Sequence, residues 1–175
     1  MNSRIFAALK HKGQTRKFTG LPYIIHPYVV ADIVGQYTDG EGWIDENRNV
    51  YLDVAYLHDT LEDTDTTLSE LESHFGNQVA QDVLSLTNVE KSFGNRKARK
   101  HADNERLSIA SPVAQTVKLA DIMDNVPSML LYKSDFGRRY LKEKLKTVEI
   151  LKDANPKLLE LVRNYLKQLK KEFGG

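Results

Sequence analysis

Apolar residues recur at helical spacing along most of the chain, and polar segments with glycine or proline separate them. Ile5, Phe6 and Leu9 share such spacing with alanines between them, and Gly13 marks the stop of a first helix. From Gln14 to Ile25 the chain carries Arg16, Lys17, Gly20 and Pro22, which reads as an irregular basic loop. Pro27 takes the place of a first helical residue ahead of Val29, Val30, Ile33 and Val34, so His26 sits at a loop-to-helix junction. The acidic, turn-rich stretch TDGEGWIDENRN, Thr38 to Asn49, predicts a connecting loop. Helical spacing resumes with Val50, Val54, Leu57 and Leu61, which places His58 and Asp59 on a long helix.

Thr67 and Glu70 form a T-x-x-E capping-box pattern that opens a short helix closed by Gly76, and a helix over Gln78 to Leu86 follows at once. Lys91 to Lys100 is a basic, glycine-containing stretch. Ser111 and Pro112 then supply an N-cap and first-turn signal for a helix to about Asn125, where Val126-Pro127 interrupts. From about Asp135, Leu141, Leu145, Val148 and Leu151 lie on one stripe. Asn155-Pro156 starts a final helix carrying Leu158, Leu159, Leu161, Val162 and Leu166. Neither β-alternation nor a long-period repeat stands out. The pattern predicts an all-α, irregular helical bundle rather than an α/β fold, and 175 residues suit one domain, 1–175, around one core.

Charge narrows the partners. Lys and Arg number 25 against 24 Asp and Glu, so no global field recruits a nucleic acid or an anionic membrane, and a basic site must be a local cluster. Cysteine is absent, which removes thiolate ligands and nucleophiles and suits a reducing compartment. Met1 to Lys12 has no long apolar run, and no stretch approaches the ~20 apolar residues of a membrane span, so the chain reads as cytoplasmic.

The stretch AYLHDTLEDTDTT carries the chemistry, because it sets His58 and Asp59 side by side on an apolar helix. Glu62 stands at i+4 from His58 and Asp63 at i+4 from Asp59, which predicts a single polar wall of two adjoining lanes. Imidazole with carboxylate suits Mn, Fe or Zn, and a site with an open position activates water. Two ligands are too few. Further candidates are His26 and Asp121, the latter in the apolar run TVKLADIMDNV with Asn125 on the same face. Taken singly, a His before Pro is more often a cap or surface residue, and an Asp in an apolar helix is as often the partner of a Lys or Arg. His11, His74 and His101 lack an equally ordered acidic setting and read as packing or surface residues.

The order H…HD…D is the metal-binding pattern of the HD phosphohydrolase superfamily. With RKFTGLPYIIHP, AYLHDTLEDTDTTLSELESHFGNQV and VKLADIMDN, the chain resembles the hydrolase domain of RelA/SpoT proteins and, in length, the free-standing small alarmone hydrolases. The similar segments anchor roughly Arg16 to Ser128. The resemblance implies a fold of the HD-domain type and one Mn²⁺ per chain, held by His26, His58, Asp59 and Asp121. It implies hydrolysis of the nucleotides ppGpp and pppGpp at the ribose 3′ position, releasing pyrophosphate and GDP or GTP. Glu62 and Asp63 match the pair that generates or orients the nucleophile, and Arg16 and Lys17 match a basic pair lining the nucleotide pocket. Asn125 matches an amide that contacts the nucleotide, and Ser128 falls where a small polar or acidic residue helps to hold it. Lys97, in the cluster Arg96, Lys97, Arg99 and Lys100, is a candidate for the 5′ or 3′ phosphates, against the alternative of a solvated charge run.

Three departures bear on substrate choice while leaving the metal set intact. Ile122 stands where a basic residue is usual, the Thr38 to Asn49 loop is longer than in compact relatives, and Arg16 is one residue further from His26. An HD-type hydrolase of another nucleotide, such as an adenosine alarmone, a nucleoside phosphate or NADPH, is the alternative. A non-catalytic nucleotide-binding module is a third reading.

Overall fold

Helix α1, Ser3–Lys10, opens the chain, capped by the Asn2 side chain, which accepts from the Arg4 amide. The computed structural model describes residues 1–45, 48–132 and 134–173. Helix α1 ends ahead of Gly13, and α2 spans Ile25–Tyr37. Pro27 is its third residue, within the first turn, where a missing N–H leaves no hydrogen bond unmade.

Between Thr38 and Asn49 the chain departs from the plain loop expected. Strands β1, Trp43–Asp45, and β2, Arg48–Asn49, pair antiparallel with Trp43 opposite Asn49. Glu46 and Asn47 of the expected loop lie outside the described residues. The Asn49 side chain then accepts from the amides of Tyr51 and Leu52 and starts α3, Val50–Leu57.

The long helix expected through His58 and Asp59 is broken there. Helix α3 stops at Leu57, and α4 covers only Thr60–Asp63. Side chains explain the break: His58 Nδ1 takes the Ala55 carbonyl at 2.8 Å, and Thr60 Oγ1 takes the Leu57 carbonyl at 2.7 Å. Both carbonyls would otherwise accept backbone amides one turn on. Asp59, at φ −101° and ψ −2°, lies at the edge of helical geometry.

Helices α5, Leu68–Phe75, and α6, Asn77–Leu86, follow. The capping box is half made: Thr67 Oγ1 accepts the Glu70 amide, whereas the Glu70 carboxylate pairs with Lys10 at 3.1 Å. A 3₁₀ turn, Lys91–Phe93, leads to α7, Arg96–Ser108, in which the basic stretch becomes the first turn of a helix. That helix buries only Asp103 and Leu107, so it carries no apolar stripe for the sequence to show.

Helix α8 spans Pro112–Tyr132 and runs through Pro127, where an interruption was expected. Val126 and Leu130 are buried on either side, so packing holds the helix although Pro127 offers no amide to the carbonyl one turn back. Helix α9 is Ser134–Val148, and α10, Pro156–Phe173, is capped by Asn155, whose Oδ1 accepts the amides of Lys157 and Leu158. Helix α8 is the centre of the bundle, packing against α2, α3, α6, α9 and α10. Ile122 is 0 % exposed and packs in this core. Among the described residues, no helix is long and apolar enough to cross a membrane.

Helix α9 returns along α8 at Gly137. A Cβ there would lie 2.8 Å from Leu130 Cα and press on the Met129 carbonyl, so only glycine permits this approach. We expect Gly137→Ala to push α9 outward at about 1–3 kcal/mol, lowering Tm by roughly 2–12 °C in a chain of this size. Thermal unfolding with an unchanged Tm would show the contact to be loose.

Candidate active site

Three segments converge. Helix α2 brings His26, the α3–α4 turn brings His58 and Asp59, and α8 brings Asp121. His58 Nε2 lies 3.2 Å from His26 Nε2 and 3.1 Å from Asp59 Oδ2. His26 Nε2 lies 3.4 Å from both Asp59 Oδ2 and Asp121 Oδ1. Each imidazole is held from behind: Nδ1 of His26 by Asp124 at 2.7 Å, Nδ1 of His58 by the Ala55 carbonyl. With Nδ1 as donor, each Nε2 turns a lone pair inward. His26 and His58 are 1 % and 3 % exposed, so water does not relieve the convergence of acceptors. Donor atoms of His26, His58 and Asp59 lie within 4.8 Å of one another, a group able to hold a divalent cation, and Asp121 Oδ1 stands beside it.

Electrostatics agree with the geometry. Burial alone would lower the His26 pKa, but Asp121, Asp124 and Asp59 outweigh it and raise it to about 11. A proton on His26 and a cation in the cluster satisfy the same acceptors, so each excludes the other. Burial opposes ionisation of Asp59 and Asp121, yet the His58 and His26 rings hold Asp59 well below the usual carboxylate range. Lys118, 2.8 Å from Asp121, does the same for that residue together with His26. Both carboxylates are therefore ionised at neutral pH.

The break at Asp59 sends the expected polar wall in two directions. Asp63 Oδ2 is 2.9 Å from the Tyr23 hydroxyl, which also meets Asp59 Oδ2 at 2.6 Å. One hydroxyl proton cannot serve two carboxylates. Burial, then the Asp59 charge, raises the Asp63 pKa, so Asp63 is the member of the trio suited to take a proton. Glu62 turns to Asn88, accepting its amide at 3.1 Å and its side-chain nitrogen at 2.8 Å. Asn88 in turn accepts from Lys100 at 3.0 Å.

Two cavities meet the cluster. The first, about 210 Å³, is lined by His26 with Arg16, Lys17, Phe18, Asn125 and Ser128. Arg16 is engaged within it, donating to Asp124 at 2.5 Å and to Asn125 at 3.0 Å, while Asn125 donates to Asp121 at 2.5 Å. The second, about 240 Å³, is lined by Asp59, Glu62, Asp63 and Asp121 and by the cations Arg96, Lys100, Lys118 and Lys144. Tyr23 and Asn125 border both. Lys97 is not among them: it lines an outer cleft of about 530 Å³ shared with Arg96, Lys100 and Lys144. A further cavity of about 460 Å³, lined by Arg4, Tyr28, Asp32 and Tyr56, has no comparable group of acceptors.

Tyr23, Asp124, Lys118 and Lys144 escaped the sequence reading. Lys118 and Asp124 stand at i−3 and i+3 from Asp121, a helical signal that was available. Tyr23 lies in an irregular loop without periodicity, and Lys144 sits in the charged run KEKLK, which resembles a solvated face. The remaining histidines serve packing or the surface: His11 is buried against Tyr23 with ring centroids 4.9 Å apart, His74 abuts Phe6 and Phe75, and His101 is exposed beside Glu105.

Comparison with known proteins places this arrangement. Residues 3–157 match the HD domain family. Human guanosine-3′,5′-bis(diphosphate) 3′-pyrophosphohydrolase MESH1 is 38% identical over 169 residues, covering 93% of this chain and 90% of the relative. An Aquifex aeolicus protein named as the same pyrophosphohydrolase is 32% identical over 96% of the chain, which spans only 26% of that longer protein. Among solved structures, a metazoan orthologue of SpoT, described as hydrolysing ppGpp, superposes with a TM-score of 0.81 at 29% identity over 96% of this chain and 93% of that one. Fold and family match agree, and the chain belongs to the HD domain family, within the group that includes MESH1 and SpoT.

Proposed function

We propose that this chain is a Mn²⁺-dependent hydrolase of ppGpp and pppGpp that acts at the ribose 3′ position, releasing pyrophosphate and GDP or GTP. One observation carries the reading: the His-Asp cluster joins a cavity bordered by Arg16, Lys17, Phe18 and Ser128 to one walled by cations. A nucleoside suits the first and a polyphosphate the second. The names of the relatives point to the same substrate.

His26, His58, Asp59 and Asp121 would hold the ion, one per chain, because donor atoms of the first three lie within 4.8 Å of one another and Asp121 Oδ1 stands 3.4 Å from His26 Nε2. When bound, such an ion lowers the pKa of water and draws charge from a phosphoryl oxygen. Asp124 and the Ala55 carbonyl fix the imidazole tautomers, and Arg16 braces Asp124 and Asn125 behind them. In the reaction the bond between phosphorus and the ribose 3′ oxygen breaks. The oxygen of water joins the departing diphosphate, and the 3′ oxygen leaves with a proton. Asp63, with its raised pKa and its link to Tyr23, is placed to take the proton that water gives up, and Glu62 lines the same cavity. Lys17, Asn125 and Ser128 border the nucleoside, and Lys97 is left to the outer cleft for more distant phosphates.

Purified protein with Mn²⁺, offered ppGpp, pppGpp, pppApp and NADPH with products identified, tests the assignment. It predicts pyrophosphate with GDP or GTP from the guanosine substrates as the fastest reactions. Preferential turnover of another member of the panel overturns the substrate while leaving the metal site in place.

His58→Ala and Asp59→Ala should each lose the ion and turnover together, since removing one donor leaves the rest of a buried cluster uncompensated. Elemental analysis that finds full Mn occupancy in both variants would refute the ligand set.

Glu62→Gln keeps an oxygen for the Asn88 amide while removing basicity. We expect kcat to fall by about 10²–10⁴-fold with Mn content and KM little changed. Asp63→Asn is expected to fall in the same range. Near wild-type kcat for Glu62→Gln beside a collapsed Asp63→Asn would confine Glu62 to anchoring Asn88.

A further inference from the structure

Asp63 is poorly held by its own helix. Helix α4 is a single turn, Thr60–Asp63, and the chain leaves it at Thr64 with φ −135° and ψ −176°. Asp63 is exposed, and its carbonyl accepts no backbone amide among the described residues. The end of α1 supplies what α4 lacks. His11 closes α1 with its amide on the Ala7 carbonyl at 2.9 Å, and it is 2 % exposed. Gln14 Nε2 donates to the Asp63 carbonyl at 2.6 Å, which leaves Oε1 to face His11 Nδ1 at 2.8 Å, so the ring nitrogen is the donor there. The Gln14 carbonyl accepts the Tyr23 amide at 2.9 Å, and the His11 ring packs on the Tyr23 ring with 4.9 Å between centroids. Tyr23 in turn reaches the Asp63 carboxylate at 2.9 Å.

Packing alone does not account for a histidine at this place. His11 Nε2 is buried and has no hydrogen-bond partner among the described residues, a cost that an apolar side chain of similar size would avoid. What the imidazole adds over such a side chain is Nδ1, and Nδ1 serves Gln14. Resting on the reading of Asp63 as the group that takes the proton from water, we infer that His11 and Gln14 are positioning residues for that step. They clamp Asp63 from behind, Gln14 at the carbonyl and His11, through Tyr23, at the carboxylate. Neither lines the two cavities at the cluster or belongs to the group of metal donors. A base at the end of one exposed turn needs such support, since a misplacement of about 1 Å costs up to roughly 10²-fold in rate. Lys10 adds to the brace from the same turn of α1, meeting Asp65 and Glu70 at 3.1 Å. Phe6 and Ala7 bury the other face of α1, so the clamp is tied to the core.

Amide hydrogen exchange and ppGpp turnover of Mn²⁺-loaded wild type, Gln14→Met, His11→Phe, Asp63→Asn and the double variant Gln14→Met/Asp63→Asn test this. Gln14→Met removes both bonds of a half-buried side chain and is the decisive variant, because His11→Phe enlarges a buried one while keeping a ring on Tyr23. Exchange at residues 60–64 should quicken by about two- to tenfold in Gln14→Met, the order expected for one lost hydrogen bond, with protection of α2 and α8 unchanged. Its kcat should fall by roughly 10–10²-fold, with KM and Mn content within about twofold of wild type. His11→Phe should lie between wild type and Gln14→Met in both measurements. Adding Gln14→Met to Asp63→Asn should slow that variant by no more than about twofold, since the group that Gln14 positions is already gone. A full further loss in the double variant marks a general structural role and overturns the inference. Unchanged exchange at 60–64 does the same, and so does an unchanged kcat for Gln14→Met beside an impaired Asp63→Asn. Exchange needs no turnover, so the two readings part: quickened exchange beside an Asp63→Asn as fast as wild type keeps the clamp and removes Asp63 as the proton acceptor.

Discussion

Nε2 of His26 and of His58 converge with Asp59 Oδ2 inside an apolar bundle, with Asp121 Oδ1 3.4 Å from His26, and buried acceptors so gathered need positive charge beside them. Much of the local structure follows from holding that set in place. Asp124 and the Ala55 carbonyl take the outer ring nitrogens, Lys118 balances Asp121 from one turn away, and Arg16 balances Asp124. The break between α3 and α4 belongs to the same arrangement, since the His58 and Thr60 side chains that end the helix also turn His58 and Asp59 toward α2.

Around this centre the charge is graded. The Arg16 side carries aromatic and small polar groups, and its guanidinium is already committed to Asp124 and Asn125. The Lys144 side carries cations, one of which, Lys144, is buried and among the described residues makes no ion pair with a carboxylate. Helix α9 brings Lys144 to that side, beside Arg96 and Lys100 of α7 and Lys118 of α8, and Gly137 lets its backbone approach that of α8. A packing contact in the fold thus helps to position the cation-bearing wall of the cleft.

The sequence was most informative where chemistry and local geometry coincide. His26, His58, Asp59 and Asp121 could be named because ionisable groups in apolar settings are costly, and their order resembled a known pattern. Thr67, Ser111 and Asn155 marked helix starts because caps are local, and each makes its bond in the structure. The break at His58 was hidden, because Leu57 and Leu61 keep helical spacing across it while the decisive bonds come from side chains. Helix α7 was hidden for the opposite reason: it buries too little to show a stripe. Pro127 misled because core packing through Val126 and Leu130 outweighs one lost amide. Tyr23, which ties Asp59 to Asp63, depends on a fold between distant segments that local patterns do not encode.

The claim on which the rest stands is that a cation completes the cluster of His26, His58, Asp59 and Asp121. Anomalous diffraction at the manganese edge, from crystals grown with Mn²⁺, addresses it without reference to any substrate. The account predicts one strong peak per chain, bonded to Nε2 of both histidines and to both carboxylates. A peak elsewhere, or none while these four side chains remain packed on one another, would contradict it.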